Sequence, residues 1–152
     1  MVFIFASDRC NSCKKAKTWL NLHQIKYQEK KLNTSQFKIS DIDLILGYEN
    51  IDFNKILSIR SNFFKKQKIN LFSMSVAQIK QIIFQNPNIL KKPIICDEKF
   101  IIIGYNKDDI RIFLLKMLRK YIIQKNINLR YNKDYNSAIK EYFEKIGNNN
   151  NF

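Results

Sequence analysis

The chain begins with an apolar and polar pattern that predicts a strand, a helix and a second strand. The apolar run Val2 to Ala6 predicts a buried strand, and helical spacing of apolar positions follows it. That helical face comprises Ala16, Trp19, Leu20 and His23. Residues Ile25 to Lys31 predict a strand that returns beside the first, which makes a βαβ unit. We interpret His23, the only histidine, as a helix-end residue and not as a ligand or base.

The middle of the chain changes to helical spacing in short segments. Between Ser40 and Pro87 three apolar sets have i, i+3, i+4 spacing: Ile42, Ile45 and Leu46, then Phe53, Ile56 and Leu57, then Ile79, Ile82 and Ile83. We expect Ser40 and Asp41 to cap the first segment, and Ser75 with Gln78 to form a capping box on the last. Asn86-Pro87 should end that last helix. The pattern predicts a small helical insert over about 38–90.

Strand signals return after the insert. Ile94 to Cys96 and Phe100 to Ile103 predict a hairpin around the turn Asp97-Glu98-Lys99. Asn106 is then expected to cap a final helix, whose apolar side comprises Ile110, Phe113, Leu114 and Met117. The whole order predicts an α/β protein with a thioredoxin-like fold, βαβ then ββα, interrupted by the helical insert. Pro93 occupies the place of the cis proline of such folds.

The domain organisation follows from the same pattern. Residues 1–118 predict one thioredoxin-like domain that includes the insert. Residues 119–152 predict a basic, aromatic tail that is helical or flexible, and its last residues, rich in Asn, should be disordered.

Cys10 and Cys13 form a CxxC motif between the first strand and the first helix. A helix N-terminus carries partial positive charge, and Lys14 and Lys15 add to it, which favours thiolate over thiol. The sequence therefore predicts an exposed redox pair, suited to a catalyst or a sensor. A structural zinc site needs four ligands, and only Cys96 and His23 remain to supply them. We expect no metal and no cofactor, and we interpret Cys96 as a packed core residue.

Charge and composition narrow the class of protein. The 152 residues carry a formal net charge of +14, but Lys and Asn are abundant from end to end, so the charge alone does not indicate specific nucleic-acid binding. Three cysteines do not make a secreted disulfide framework, and the start lacks the pattern of a signal peptide. No apolar run is long enough to span a bilayer. We expect a cytoplasmic protein, without membrane association.

Several stretches together resemble one family. The chain resembles the Spx group of RNA-polymerase-binding regulators, within the wider arsenate-reductase-like (ArsC) family, over roughly residues 1 to 120. The matching stretches are Cys10-Asn11-Ser12-Cys13-Lys14-Lys15-Ala16-Lys17 with Trp19-Leu20, Ser58-Ile59-Arg60-Ser61, Lys92-Pro93-Ile94-Ile95 with Asp97-Glu98-Lys99, and Gly104-Tyr105-Asn106. The tail beyond about Lys120 is outside the resemblance.

The resemblance implies a dithiol switch at Cys10 and Cys13 and binding to the C-terminal domain of the RNA polymerase α subunit. Such regulators respond to disulfide stress and meet DNA only indirectly, through the polymerase complex. We expect a monomer that is not an enzyme. Asp52 is the candidate partner-binding residue, because it stands in a loop where the group has a glycine.

Two basic residues are candidates for coupling to the switch or for binding an anion. Arg60 matches an arginine that holds the oxyanion in arsenate reductases, although a surface role on a helical face is the alternative. Lys92 stands where the group has an arginine, which keeps the charge but loses the bidentate fork. Two enzymatic alternatives therefore stay open: a glutaredoxin-dependent arsenate reductase with Cys10 as nucleophile, and a glutaredoxin-like thiol oxidoreductase.

Overall fold

The computed structural model describes residues 1–48, 51–67, 70–114, 137, 139–142 and 144. The chain divides into two compact units, Met1–Ile112 and Phe113–Phe152. In the second unit residues 139–142 are helical, and Lys140 pairs with Glu144 at 3.8 Å. The predicted boundary at 118, Met117 and most of the tail 119–152 lie outside the described residues.

Four strands form one sheet in the first unit: β1 (Val2–Ala6), β2 (Tyr27–Lys31), β3 (Ile94–Cys96) and β4 (Ile101–Ile103). Their order is β2-β1-β3-β4, with β1 and β2 parallel and the other neighbours antiparallel. Helix α1 (Asn11–Leu22) connects β1 to β2, so the predicted βαβ unit is present. The βαβ and ββ parts of the thioredoxin-like prediction are confirmed.

The helical insert lies between β2 and β3. It contains α2 (Ile39–Leu46), α3 (Phe53–Ile56), α4 (Asn62–Gln67) and α5 (Val76–Gln85), with 3₁₀ turns at Leu71–Ser73 and Pro87–Ile89. The predicted capping box of Ser75 and Gln78 opens α5, and Asn86 ends it. The insert shares a buried core with one face of the sheet. Its members include Phe5, Ile94 and Cys96 of the strands and Ile42, Ile45, Ile79 and Ile83 of the helices.

The other face of the sheet is also covered. Side chains alternate between faces along a strand, so Ile4 and Ile95, which pair in register, point away from the insert. Both are fully buried. Helix α1 buries a stripe of its own, made of Cys13, Ala16, Trp19 and Leu20. We infer that this stripe lies on the second face, which gives the three layers of the fold.

Two element boundaries early in the chain differ from the sequence prediction. β2 begins at Tyr27 and not at Ile25, because Gln24 has a φ of 52° and the N–H of Ile25 donates to Leu20 O at 2.9 Å, closing the end of α1. Helix α2 begins after Lys38, so Ser40 is not its cap. The carboxylate of Asp41 does contribute, because it accepts from the N–H of Lys38 at 2.8 Å.

The end of the unit also differs. After Asn106, whose side chain accepts from the N–H of Asp108 at 2.8 Å, the chain forms a 3₁₀ helix at Asp109–Phe113 where an α-helix was predicted. Phe100 lies outside β4, since its N–H donates to the Asp97 carboxylate and its carbonyl accepts from the Asp97 N–H in the hairpin turn.

Candidate redox site

Cys10 and Cys13 are joined by a disulfide at the start of α1. Cys10 is the N-cap residue, with an extended backbone, and its Sγ accepts from the N–H of Cys13 at 3.1 Å. The two Cα atoms are 5.2 Å apart. The sulfur of Cys10 thus occupies the position at which capping side chains accept hydrogen bonds from the first turn of a helix. The same position favours a negative charge on that sulfur once the disulfide is reduced.

The two sulfur atoms differ in access. Cys13 is 1% exposed, whereas Cys10 is half-buried. The expectation of an exposed pair is therefore wrong for Cys13. Its position explains this, because Cys13, Ala16 and Leu20 lie at i, i+3 and i+7 on the buried face of α1. An attacking thiol or an oxidant meets Cys10 first.

The charges at the start of α1 favour a thiolate. The first turn holds no acidic residue, and Lys14 and Lys15 are exposed directly after the pair. A 12-residue helix presents unpaired N–H groups and partial positive charge at this end. The arrangement can stabilise an attacking or a leaving thiolate at Cys10.

Lys92 lies close to the cysteine loop, beside a cis peptide bond to Pro93. It lines a cleft of about 420 Å³, together with Ser7, Asp8 and Arg9, which immediately precede Cys10. Burial lowers the pKa of Lys92 from its ordinary value, and its ammonium donates to the Asn88 side chain at 3.2 Å.

Arg60 lies elsewhere. It is exposed in a turn between Leu57 and α4, so the predicted helical face is wrong. Just before this turn, Leu57 forms an antiparallel bridge with Leu90. Next to the bridge, the N–H of Ser58 donates to the carbonyl of Ile89 at 2.7 Å. A serine-rich turn that follows a bridge favours this conformation over a helix. Arg60 is not among the residues that line the cleft at Lys92. Within the described ranges its guanidinium has no hydrogen bond or ion pair.

Asp52 is exposed and is the N-cap of α3. Its carboxylate accepts from the N–H of Asn54 at 2.8 Å, and its carbonyl accepts from the N–H of Lys55 at 2.9 Å. A glycine at this place would lack the capping carboxylate. Asp52 therefore caps the start of a short helix. Glu49 and Asn50 of the same loop lie outside the described residues.

Cys96 is fully buried in β3. Burial raises the pKa of its thiol to about 11, and Tyr48 lies beside it, with its hydroxyl donating to the Asp97 carbonyl. Burial likewise raises the pKa of the Tyr48 hydroxyl. Both groups stay protonated near neutrality, so Cys96 is unsuited to take part in thiol exchange.

The ion pair between Lys31 and Asp8, two residues that line the same cleft as Lys92, was not predicted from the sequence. Lys31 pairs with Asp8 at 2.9 Å across the ends of β2 and β1, which lowers the pKa of Asp8 and raises that of Lys31. The predicted βαβ unit could have indicated this pair, because the carboxyl ends of parallel strands meet at one edge of a sheet. In the structure Ala6, the last residue of β1, pairs with Lys31, the last residue of β2. Residues at or just after the carboxyl ends of the two strands should therefore meet beside the CxxC motif.

Neither a metal site nor a membrane span accompanies the cysteine pair in the described part of the chain. No group of three or more His, Cys, Asp or Glu side chains is placed to hold a metal ion in that part. None of the helices in the described ranges combines the length and apolar character required to cross a bilayer.

Curated relatives match most of the chain. A global transcriptional regulator Spx from Listeria innocua is 37% identical over 131 residues, which cover 84% of this chain and all of the relative. A global transcriptional regulator Spx from Streptococcus mutans is 40% identical over 120 residues, which cover 79% of this chain and 88% of that one.

Solved structures share the fold at low sequence identity. An ArsC-family related protein from Bacteroides fragilis superposes with a TM-score of 0.63 at 18% identity, covering 74% of this chain and 96% of that one. An arsenate reductase from Vibrio cholerae superposes with a TM-score of 0.59 at 14% identity, covering 74% of this chain and 93% of that one. A sequence profile of the ArsC family matches residues 5–113. The chain therefore belongs to the ArsC family and, within it, to the Spx group.

Proposed function

We propose that the chain is a redox-responsive transcription regulator in which Cys10 and Cys13 are the switch. One observation carries this proposal: the two cysteines are bonded at the N-cap of α1, in a chain whose relatives at 37–40% identity are named global transcriptional regulator Spx. The disulfide needs no partner chain. Reduction by a cellular dithiol takes up two electrons, splits the S–S bond into two thiols and leaves the dithiol as a disulfide. Ionisation of the Cys10 thiol then places a thiolate at a helix end, which changes local charge and shape.

The proposed partner is the C-terminal domain of the RNA polymerase α subunit. We place the contact on the surface that carries Asp52, and we propose that the chain acts as a cytoplasmic monomer without a cofactor or membrane contact. It would reach DNA only indirectly, through the polymerase. The many exposed lysines then assist a complex already on DNA and do not select a sequence.

Lys92 is the proposed link between the switch and its surroundings. It is a partly buried cation in the cleft that Ser7, Asp8 and Arg9 line just before Cys10. A cation there is attracted to a thiolate and not to a disulfide, so its preferred position depends on the redox state. Arg60 is a weaker candidate, because it is exposed outside this cleft.

An affinity column tests the partner. The immobilised C-terminal domain of the polymerase α subunit should retain the oxidised protein, and Cys13→Ala should still be retained while redox-dependent transcription in vitro is lost. Asn11→Ala, an exposed neighbour in the same turn, is the matched control and should behave as the unchanged protein. Failure to bind the column at low salt would refute the proposed partner.

An arsenate reductase is the second candidate, and the reactive position of Cys10 beside cationic side chains favours it. Oxyanion chemistry requires several fixed donors around the thiolate. Here Lys92 lacks the planar fork of arginine, and Arg60 does not line the cleft. Steady arsenate turnover with glutathione and glutaredoxin, lost in Cys10→Ser, would establish the enzyme. A glutaredoxin-like oxidoreductase would instead reduce a small disulfide substrate with no arsenate present.

A further inference from the structure

An apolar groove and the cationic cleft beside Cys10 share one wall. The groove has a volume of about 770 Å³ and the cleft about 420 Å³, and Leu32, Asn33 and Thr34 line both. Pro87 lines the groove and Asn88 the cleft. The side chains of Asn33 and Asn88 are hydrogen-bonded at 2.9 Å, so they bridge the two hollows. The two hollows adjoin along the segment that follows β2.

The groove displays large apolar side chains to solvent. Ile39, the first residue of α2, is 54% exposed, and Phe84, near the end of α5, is 44% exposed. Both line the groove, whose lining also includes the buried side chains of Leu32 and Phe37. Exposed apolar side chains that line one hollow together are typical of surfaces that a partner covers.

The charge on the two linings is strongly positive. Four cationic residues line them, Arg9, Lys31, Lys38 and Lys92, against one acidic residue, Asp8. Asp8 is already paired with Lys31. An occupant that fills both hollows therefore needs an apolar side chain at one end and carboxylates along the rest.

We propose that the groove and the cleft form one docking surface for an extended acidic segment of a partner protein, whose apolar side chain inserts beside Ile39 and Phe84. The surface lies outside the Asp52 loop, since Asp52 lines neither hollow. The proposal thus goes beyond the polymerase contact and adds a second interaction surface that reaches the loop before Cys10.

A peptide assay on the full oxidised chain tests the proposal. The probe is a fluorescein-labelled peptide of about ten residues, about 33 Å when extended, with one leucine near one end and glutamates along the rest. Fluorescence anisotropy should detect binding that weakens as salt increases. A peptide with Ser in place of Leu should bind at least tenfold more weakly, and one with Lys in place of Glu should not bind.

Two matched pairs of variants locate the binding. Phe84→Asp should weaken binding of the acidic peptide at least tenfold. Val76→Asp is the control, because Val76 lies on the same helix, is 53% exposed and lines neither hollow, and this variant should leave binding unchanged. Lys38→Glu should weaken binding, and Lys66→Glu, exposed on α4, should not. Circular dichroism confirms that each variant is folded.

Four results would overturn the proposal, three from the peptide assay and one from the oligomeric state. The first is no binding, the second is equal effects of Phe84→Asp and Val76→Asp, and the third is equal binding of the peptides with and without leucine. Dimerisation that Phe84→Asp abolishes would assign the groove to a second copy of the chain and would also overturn it. The assay uses neither polymerase nor thiol exchange, so its outcome is independent of the proposed regulatory function.

Discussion

Cys10 holds Cys13 in two ways, because its sulfur forms the disulfide and also accepts the Cys13 N–H at 3.1 Å. Breaking the covalent bond leaves the hydrogen bond available, and a thiolate is a better acceptor than a disulfide sulfur. The helix start can therefore persist after reduction. The redox change then appears as a new charge at Cys10 and not as loss of α1.

Cys10 should react faster than Cys13 in the reduced protein. Cys10 is half-buried at the helix start, whereas Cys13 is 1% exposed on the buried face of α1. The Cys13→Ser variant keeps Cys10, and the Cys10→Ser variant keeps Cys13. We expect iodoacetamide to label the first variant at least tenfold faster than the second at neutral pH, as followed by mass spectrometry. Similar rates in the two variants would contradict the asymmetry, and both proteins should label equally in denaturant.

Cys96 should resist modification until the protein unfolds. Its pKa is about 11 because burial disfavours the thiolate. In the double variant Cys10→Ser, Cys13→Ser it is the only cysteine, and we expect no labelling by Ellman's reagent in native buffer at pH 8 but stoichiometric labelling in guanidinium. Rapid native labelling would show that β3 is open to solvent and would contradict the described core.

The start of α2 should depend on Asp41 and not on Ser40. Asp41 is 6% exposed, and its carboxylate accepts from the N–H of Lys38 and pairs with the Lys30 ammonium at 3.4 Å. Asp41→Ala should lower the free energy of unfolding by roughly 1–2 kcal/mol, measured by urea denaturation. Ser40→Ala should change it by less than about 0.5 kcal/mol. A larger effect at Ser40 would restore the cap expected from the sequence.

Stability should fall on acidification through His23. Its ring is buried, stacks on Trp19 with centroids 3.8 Å apart, and has a pKa below its ordinary value, chiefly because burial disfavours the charged form. The unfolded chain takes up a proton as the pH drops below about 6.5, and the folded protein does so only at lower pH. The free energy of unfolding therefore decreases below about pH 6.5.

A variant without the imidazole isolates this effect. His23→Gln removes the titrating group, so its unfolding free energy should vary less between pH 7.5 and 5.5 than that of the unchanged protein, whatever its stability at pH 7.5. Both profiles are measured by urea denaturation at constant ionic strength. Parallel profiles would contradict a depressed His23 pKa.

Much of the fold could be predicted because it depends on local patterns. The apolar run of β1 and the helical spacing after it predict the βαβ unit, and the Ser75 and Gln78 spacing predicts the start of α5. Element boundaries that depend on backbone geometry could not be predicted in this way. The positive φ of Gln24 delays β2 by two residues, and no side-chain period signals such a turn.

The site divides in the same way. Sequence alone determined that a CxxC motif stands between a strand and a helix, because the spacing and the flanking periods are local. Tertiary structure decided which sulfur is reachable, that Arg60 lies in an exposed turn outside the cleft, and that Lys31 meets Asp8 beside Cys10. Burial and pairing of these side chains depend on contacts between segments distant in the chain, and such contacts leave no period in the sequence.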